Sequence, residues 1–399
     1  MLATSKFFPG ALSIAFPQVT LNLVKEFFPH IYVKLVTQHN NGDLDLGISS
    51  SYNHAFAPML VKREIEHELS TSLESFLEVD KRRNVFITVH IPECAISPTL
   101  LDVLGEIQNE CGIRFVITLD STYHNCIPNP YDIGRPNELE YTDSKGDLCK
   151  LRIMFSNNDF SRRKFSFPPL LDAKDVAFWY FTTFLESIAK PQPYPFWDKL
   201  KNGEDLHFVV HTDAETLGFH APGREFSFFL FLHLLQSFKF NLITISEAAE
   251  KEPHVTRETC NKEAFYGRSW DTGAEGGNGR WMIKELDSST QFKYAASDCL
   301  LHLLEELNKK KDYMTESEKQ CLQDAEQIYY RGLTSCADWW WPVADSPAGK
   351  QRAECILESS ERVGGLRKYV SDDKKYLLVK SAALKNHPFV KRTGIKLSA

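Results

Sequence analysis

The chain has no apolar run approaching the ~20 residues that cross a bilayer, so no membrane span is expected. It lacks a cationic excess: the formal charge is -7, which gives no electrostatic hold on nucleic acid. The 9 cysteines, at positions 94, 111, 126, 149, 260, 299, 321, 336 and 355, are odd in number and include no C-x-x-C pair. That spacing argues against a disulfide framework and a zinc ribbon, and for a reducing, cytoplasmic setting. Among the 13 histidines there is no H-E-x-x-H, and His207 and His211 fall on an expected strand rather than one helix face, so neither metal nor cofactor is expected. A metal-dependent polysaccharide deacetylase, the nearest rival fold, needs an aspartate followed by paired histidines, and that pattern is missing. The apolar stretch after Lys6 is broken by Pro9 and Gly10 and has no small-x-small cleavage site, so it reads as an ordinary leading segment. No internal repeat is present.

What the chain does have is 399 residues, 43% of them hydrophobic, enough for one large α/β domain with a helical appendage. Val19–Leu23 reads as a first short strand, followed by a helix to about Gln38. Leu44, Leu46 and Ile48 alternate as a strand, and Ile65, Leu69, Leu73, Phe76 and Leu77 recur at helical spacing. Strand 85–89, helix 99–110 and strand 114–119 repeat the pattern. A polar excursion at 129–147 precedes strand 151–155 and a helix over 172–189. Pro191, Pro193 and Pro195 form a stiff connector to strand 206–210, helix 223–237 and a short strand at 242–245. Strand–helix alternation with continuous apolar strands implies parallel pairing, either in an α/β barrel or in an open doubly wound sheet. A glycine-rich loop covers 267–280, and helical periodicity follows over 289–309, 316–331 and 348–369. The expected domains are therefore an α/β part at 1–255, a Gly-rich loop and helical part at 256–370, and a basic tail at 371–399.

Two acids stand just past apolar strands. Val85–Val89 leads through His90-Ile91-Pro92 to Glu93, and Leu206–Val210 leads through His211-Thr212 to Asp213, with Glu215 two residues on. Ligands bind at the C-terminal ends of strands in α/β proteins, so two such acids suggest one site. A carboxylate pair flanking a glycosidic bond is the general solution for glycoside cleavage. By composition alone each acid serves equally as a helix cap or a surface group. Asp120 ends the next strand and is a candidate cleft residue or N-cap. His54 follows a strand end and could hydrogen-bond a sugar hydroxyl, and His211 could orient Asp213. Trp270, Trp281, Trp339, Trp340 and Trp341 offer flat faces for stacking on pyranose rings; the alternative is helical core.

Several segments, in order, resemble glycoside hydrolase family 57, the α-glucan-acting group of amylases, 4-α-glucanotransferases and branching enzymes. Asn41-Gly42-Asp43-Leu44-Asp45-Leu46-Gly47 is similar to its G-Q-[IL]-E-[IL] strand, and Tyr52–Leu60 to its Y-Y-H-x-I-L-P-L-L stretch. His90-Ile91-Pro92-Glu93-Cys94-Ala95 resembles W-L-P-E-C-A, and His211–His220 resembles x-x-D-G-E-x-x-G-x-H. Further likeness runs through Arg268-Ser269-Trp270 and Gly279-Arg280-Trp281 to Ser335–Trp341. The resemblance spans about residues 19 to 345. It implies an incomplete (β/α)7-type barrel with an all-helical C-terminal domain, an α-glucan substrate and no cofactor. It also implies Glu93 as nucleophile and Asp213 as general acid/base of a retaining glycosidase or transglycosidase. Departures are a His-Gln-Pro-type first motif, absent before Val19 so that either the chain is truncated or the first strand has been lost, His90 in place of tryptophan, and Ala214 in place of glycine. A positive φ at Ala214 would be strained. A glucan-binding protein of the same fold without turnover is the second expectation.

Overall fold

The computed structural model describes residues 2–371, apart from 83–84, 122–132, 158, 167, 170, 191–195, 218–221, 256–261, 263–287 and 335–346. The chain divides into two compact units, one of Met1–Tyr52 with Val61–Gly277, the other of Asn53–Leu60 with Asn278–Ala399. Residues 372–399, most of the expected basic tail, lie outside the described part.

The first unit opens with α1 (Leu2–Phe7), β1 (Ser13–Phe16), α2 (Gln18–Phe27), α3 (Pro29–Asn41) and β2 (Asp45–Ser49). It continues through α4 (Lys62–Leu77), β3 (Phe86–His90), α5 (Pro98–Cys111), β4 (Arg114–Asp120), β5 (Asn137–Thr142) and β6 (Leu148–Ser156). After these come α6 (Ala173–Ala189), α7 (Phe196–Lys201), α8 (Arg224–Ser237), α9 (Ile245–Ala249) and β7 (His254–Val255). The strands form a 7-stranded sheet in the order β1-β2-β3-β4-β6-β5-β7. Pairing is parallel from β1 through β4 to β6, and β5 folds back antiparallel on β6. A doubly wound sheet reverses its strand order at a switch point, whereas this parallel run follows the chain order without reversal. The fold is thus the barrel type, left open with β1 at one edge.

Five expectations are corrected. Val19–Leu23 is not a strand but lies in α2, because Pro17 ends β1 and its carbonyl accepts from the N–H groups of Thr20 and Leu21. The apparent alternation there has Leu23 49% exposed while Gln18 and Leu21 are buried three apart, the helical period. The strand expected to be missing is therefore present as Ser13–Phe16, ending in Phe16-Pro17-Gln18 where the resemblance implies a His-Gln-Pro-type motif. Residues 206–210 form no ladder; only Val209 bridges Ser156 in parallel fashion, and the Asn157 N–H donates to the Val209 carbonyl at 3.0 Å. The polar excursion at 129–147 contains β5, whose alternating burial turns one face inward.

The fifth correction concerns 242–245. Thr244 accepts from the Glu247 N–H at 3.1 Å and caps α9, so a cap signal three residues before a glutamate outweighs a four-residue apolar run. Ile243 and Ile245 pack on the cluster of Phe86, Val116, Met154, Val209, Ala248 and Ala249, at the end of the sheet where β3 begins. Arg152 fixes the other end of this helix, donating to the carbonyls of Ala249 at 2.7 Å and Lys251 at 3.1 Å. Beside it, Asp45 is fully buried and accepts from Ser13, Thr88 and Arg82, holding the starts of β1 and β2 to the middle of β3. With one end of the sheet so closed, the opposite end carries the open loops.

The second unit contains α10 (Ser288–Asn308), α11 (Glu316–Arg331) and α12 (Pro347–Val363), followed by a 3-10 turn at Gly364–Tyr369. Thr315 and Glu318 form a reciprocal capping box at the start of α11. Leu322, Ala325, Ile356 and Leu357 are buried, and Ser359 donates to the Ala325 carbonyl at 2.8 Å. Among the described residues after 289, the helices fall where the periodicity predicts them. Among the described residues, no helix is long and apolar enough to cross a membrane. Cys94, Cys111, Cys149, Cys299, Cys321 and Cys355 are free thiols.

Candidate active site

β3 delivers His90 at its C-terminal end, and Ile91-Pro92 leads into a tight turn over Pro92–Cys94. Glu93 and Cys94 both have left-handed backbone, with φ of 58° and 50°. Two consecutive non-glycine residues there cost on the order of 1–3 kcal/mol each, strain that the surroundings must hold. The turn is closed by the Cys94 N–H donating to the Ile91 carbonyl at 2.8 Å, and Ser97 then caps α5 through the Leu100 N–H. Its effect is to leave the Glu93 side chain half-buried while the Cys94 thiol is buried at 1% exposure.

β4 ends in Asp120, buried at 4% exposure and in register with Ser156 at the end of β6. Past Ser156 the chain winds a π-helical turn over Asp159–Phe165, started by Asn157 Oδ1 accepting from the Phe160 N–H. Ser161 on that turn accepts from the His211 N–H at 3.1 Å. The Val209 bridge and this hydrogen bond carry the last segment alongside β6, so that Asp213 also emerges at the C-terminal end of the sheet. Asp213 is half-buried and precedes a 3-10 turn over Ala214–Thr216. Thr216 donates to the Asp213 carbonyl at 2.6 Å, and its hydroxyl contacts Thr212, which contacts Ser166.

Three carboxylates converge on one sulfur. Burial holds the Cys94 thiol well above its ordinary pKa, and the charges of Asp120, Glu93 and Asp213 push it further in the same direction. The Asp120 backbone N–H acts against them as a hydrogen-bond donor to that sulfur. Cys94 Sγ also lies 3.5 Å from His211 Nδ1, and the His211 ring meets His90 edge to face with centroids 5.1 Å apart. His211 retains some exposure, yet its imidazole is enclosed enough that burial pulls its pKa down to about 4.

The structure places Glu93, Asp120, His211 and Asp213 around the Cys94 thiol. Ala214 does not have positive φ, so the alanine is accommodated without backbone strain. His54 has φ of 60° and sits in the 53–60 segment of the second unit, beside Ala55, which bridges Thr334. Trp270, Trp281, Trp339, Trp340 and Trp341 lie outside the described residues, as does the side chain of Glu215. Sequence reading overlooked Cys94, Ser161 and Asn157. A cysteine directly after a candidate acid was the available signal; Ser161 and Asn157, in a turn after a strand, gave none.

Parallel strands in chain order, carboxylates at their C-terminal ends and a helical unit define a class of fold, the incomplete α/β barrel with a helical appendage. Solved structures place the chain more narrowly. It is similar to an exo-type maltose-forming amylase from Pyrococcus sp. ST04, with a TM-score of 0.68 at 14% identity over 98% of this chain and 74% of that one. It is similar also to a GH57-type branching enzyme from Pyrococcus horikoshii, with a TM-score of 0.61 at 14% identity over 96% and 79%. A third, an α-amylase from Thermotoga maritima, aligns with a TM-score of 0.60 at 13% identity over 94% and 78%. The chain has a glycoside hydrolase family 57-like fold. By sequence, no family model and no curated protein matches it.

Proposed function

We propose that the protein is a retaining glycosidase or transglycosidase acting on α-glucans. The observation that carries this is the convergence of Glu93, Asp120 and Asp213 about the buried Cys94 thiol, in a fold shared with an amylase and a branching enzyme. The Glu93 carboxylate attacks the anomeric carbon while the bond to the glycosidic oxygen breaks and that oxygen takes the Asp213 proton. Water or a sugar hydroxyl then attacks the glycosyl ester, gives its proton to Asp213 and releases Glu93. In this mechanism Asp213 carries the proton that the leaving oxygen takes. Asp120 adds negative charge as the oxocarbenium-like transition state develops.

A second reading, a glucan-binding protein without turnover, is favoured by one observation: β1 ends in Phe16-Pro17-Gln18, and Gln18 is only 1% exposed. Incubation with maltoheptaose and amylose, wild type beside Glu93→Ala and Asp213→Ala, separates the two. New chain lengths that disappear in both variants support the enzyme; saturable glucan binding with no new products in any protein supports the binding protein.

A further inference from the structure

The turn that carries Glu93 follows β3 and the loop that carries Asp213 follows the Val209 bridge to β6, some 120 residues apart in the chain. Their side chains meet at Cys94 and His211, with Sγ 3.5 Å from Nδ1. We infer that Cys94 is a positioning residue for the carboxylate pair: its S–H donates to His211 Nδ1, fixes the imidazole as the Nε2–H tautomer, and ties the Glu93 turn to the Asp213 loop. The inference deepens the glycosidase reading and rests on it for its catalytic consequence, whereas the contact itself is testable without turnover.

The chemistry of the two groups gives the direction of the bond. Cys94 is buried at 1% exposure on a left-handed turn, directly after Glu93, so its thiol is enclosed by protein on the side that faces His211. The groups that face the pair are Glu93 from the turn, Asp120 from the end of β4, Asp213 from the following loop and His90 from the end of β3. Three carboxylates disfavour a thiolate, and burial disfavours an imidazolium, so both partners stay neutral. Between a neutral thiol and a neutral imidazole, the stronger acceptor is the ring nitrogen, since sulfur accepts weakly. The S–H therefore points at Nδ1. The His211 backbone N–H is anchored separately by Ser161, at 3.1 Å, so ring and backbone are both held. With both acids referenced to one sulfur–nitrogen contact, their separation is set by packing rather than by two independent loops, which positional catalysis requires.

The test is the nitrogen NMR spectrum of His211 in the full chain labelled at histidine, comparing wild type with Cys94→Ser and Cys94→Ala, each also checked by thermal unfolding. At pH 7 the wild type should show an unprotonated Nδ1 and a protonated Nε2. Cys94→Ser, whose hydroxyl also donates, should keep that signature, and Cys94→Ala should show mixed tautomers. With maltoheptaose, kcat of Cys94→Ala should fall by about tenfold to a hundredfold with KM within about twofold, and Cys94→Ser should recover most of it. A protonated Nδ1 in the wild type, or an unchanged spectrum in Cys94→Ala, would overturn the inference. The wild-type spectrum alone decides the direction, so a failure of Cys94→Ala to fold leaves the test intact. No turnover in any of the three proteins, with the tautomer signature present, would overturn the glycosidase reading and the catalytic part of the inference, and leave the thiol–imidazole link standing.

Discussion

Val209 and Ser156 form one parallel bridge, and that bridge takes the place of a whole strand. The Asn157 N–H donating to Val209 extends it by a single hydrogen bond, after which the chain is free to bend toward the sheet's C-terminal end with Asp213. Interchange of a ladder for a bridge costs backbone hydrogen bonds but leaves the segment's register fixed, which is the property the site uses.

If Glu93 is the nucleophile, removing it leaves a space that a small anion can fill. Glu93→Ala should lose turnover on an activated α-glucosyl substrate, and azide should restore part of it by forming the glycosyl azide of inverted configuration. Absence of any azide product, with the variant shown to be folded, would argue that Glu93 does not occupy the attacking position.

His211 predicts how stability depends on pH. Its pKa falls from the ordinary 6.5 to about 4 on folding, through burial. Between those values the unfolded chain binds more protons than the folded one, so the protein is most stable above about pH 6.5 and loses stability as pH falls toward 4. The full loss from this group is about 3 kcal/mol, at one pKa unit per 1.4 kcal/mol. Denaturant titrations between pH 7 and pH 4 should show this component in the wild type and not in His211→Asn. Parallel curves for the two proteins would contradict it.

Legibility in the sequence followed the strength of local signals. β3 and β4 are continuous apolar runs with acids directly behind them, so Glu93 and Asp120 could be placed at strand ends without any other information. β1 was hidden, since Ser13–Phe16 is four residues long and the alternating segment after Pro17 imitates a strand while obeying a helical period. β5 reads as polar because only one of its faces is inward, and α9 was lost to an apolar run whose Thr244 cap outweighs it. The convergence of Glu93, Asp120 and Asp213 on one thiol depends on contacts across more than 100 residues, which no local pattern carries.

Thr244 caps the helix that closes the sheet's other end. Thr244→Ala should reduce stability by about 1 kcal/mol, measured by urea denaturation, with Thr244→Ser close to wild type. Equal stability of all three proteins would show that the cap does not hold α9.

Gly47 in β2 lies against β3: a Cβ there would meet the Thr88 carbonyl oxygen at 2.6 Å, a backbone atom that cannot rotate away. Gly47→Ala should therefore cost about 1–3 kcal/mol by forcing β2 and β3 apart. An unchanged denaturation midpoint would mean that these strands pair more loosely than the β2–β3 register indicates.

The central claim, that Glu93 and Asp213 act as a retaining pair, is tested most directly by the anomeric form of the first product. Proton NMR during the first minutes of maltoheptaose cleavage should show the α-anomer appearing before mutarotation produces the β-anomer, as expected for carboxyls about 5–5.5 Å apart. The β-anomer appearing first would mean inversion, would require carboxyls roughly 6.5–9.5 Å apart, and would contradict Glu93 as a nucleophile.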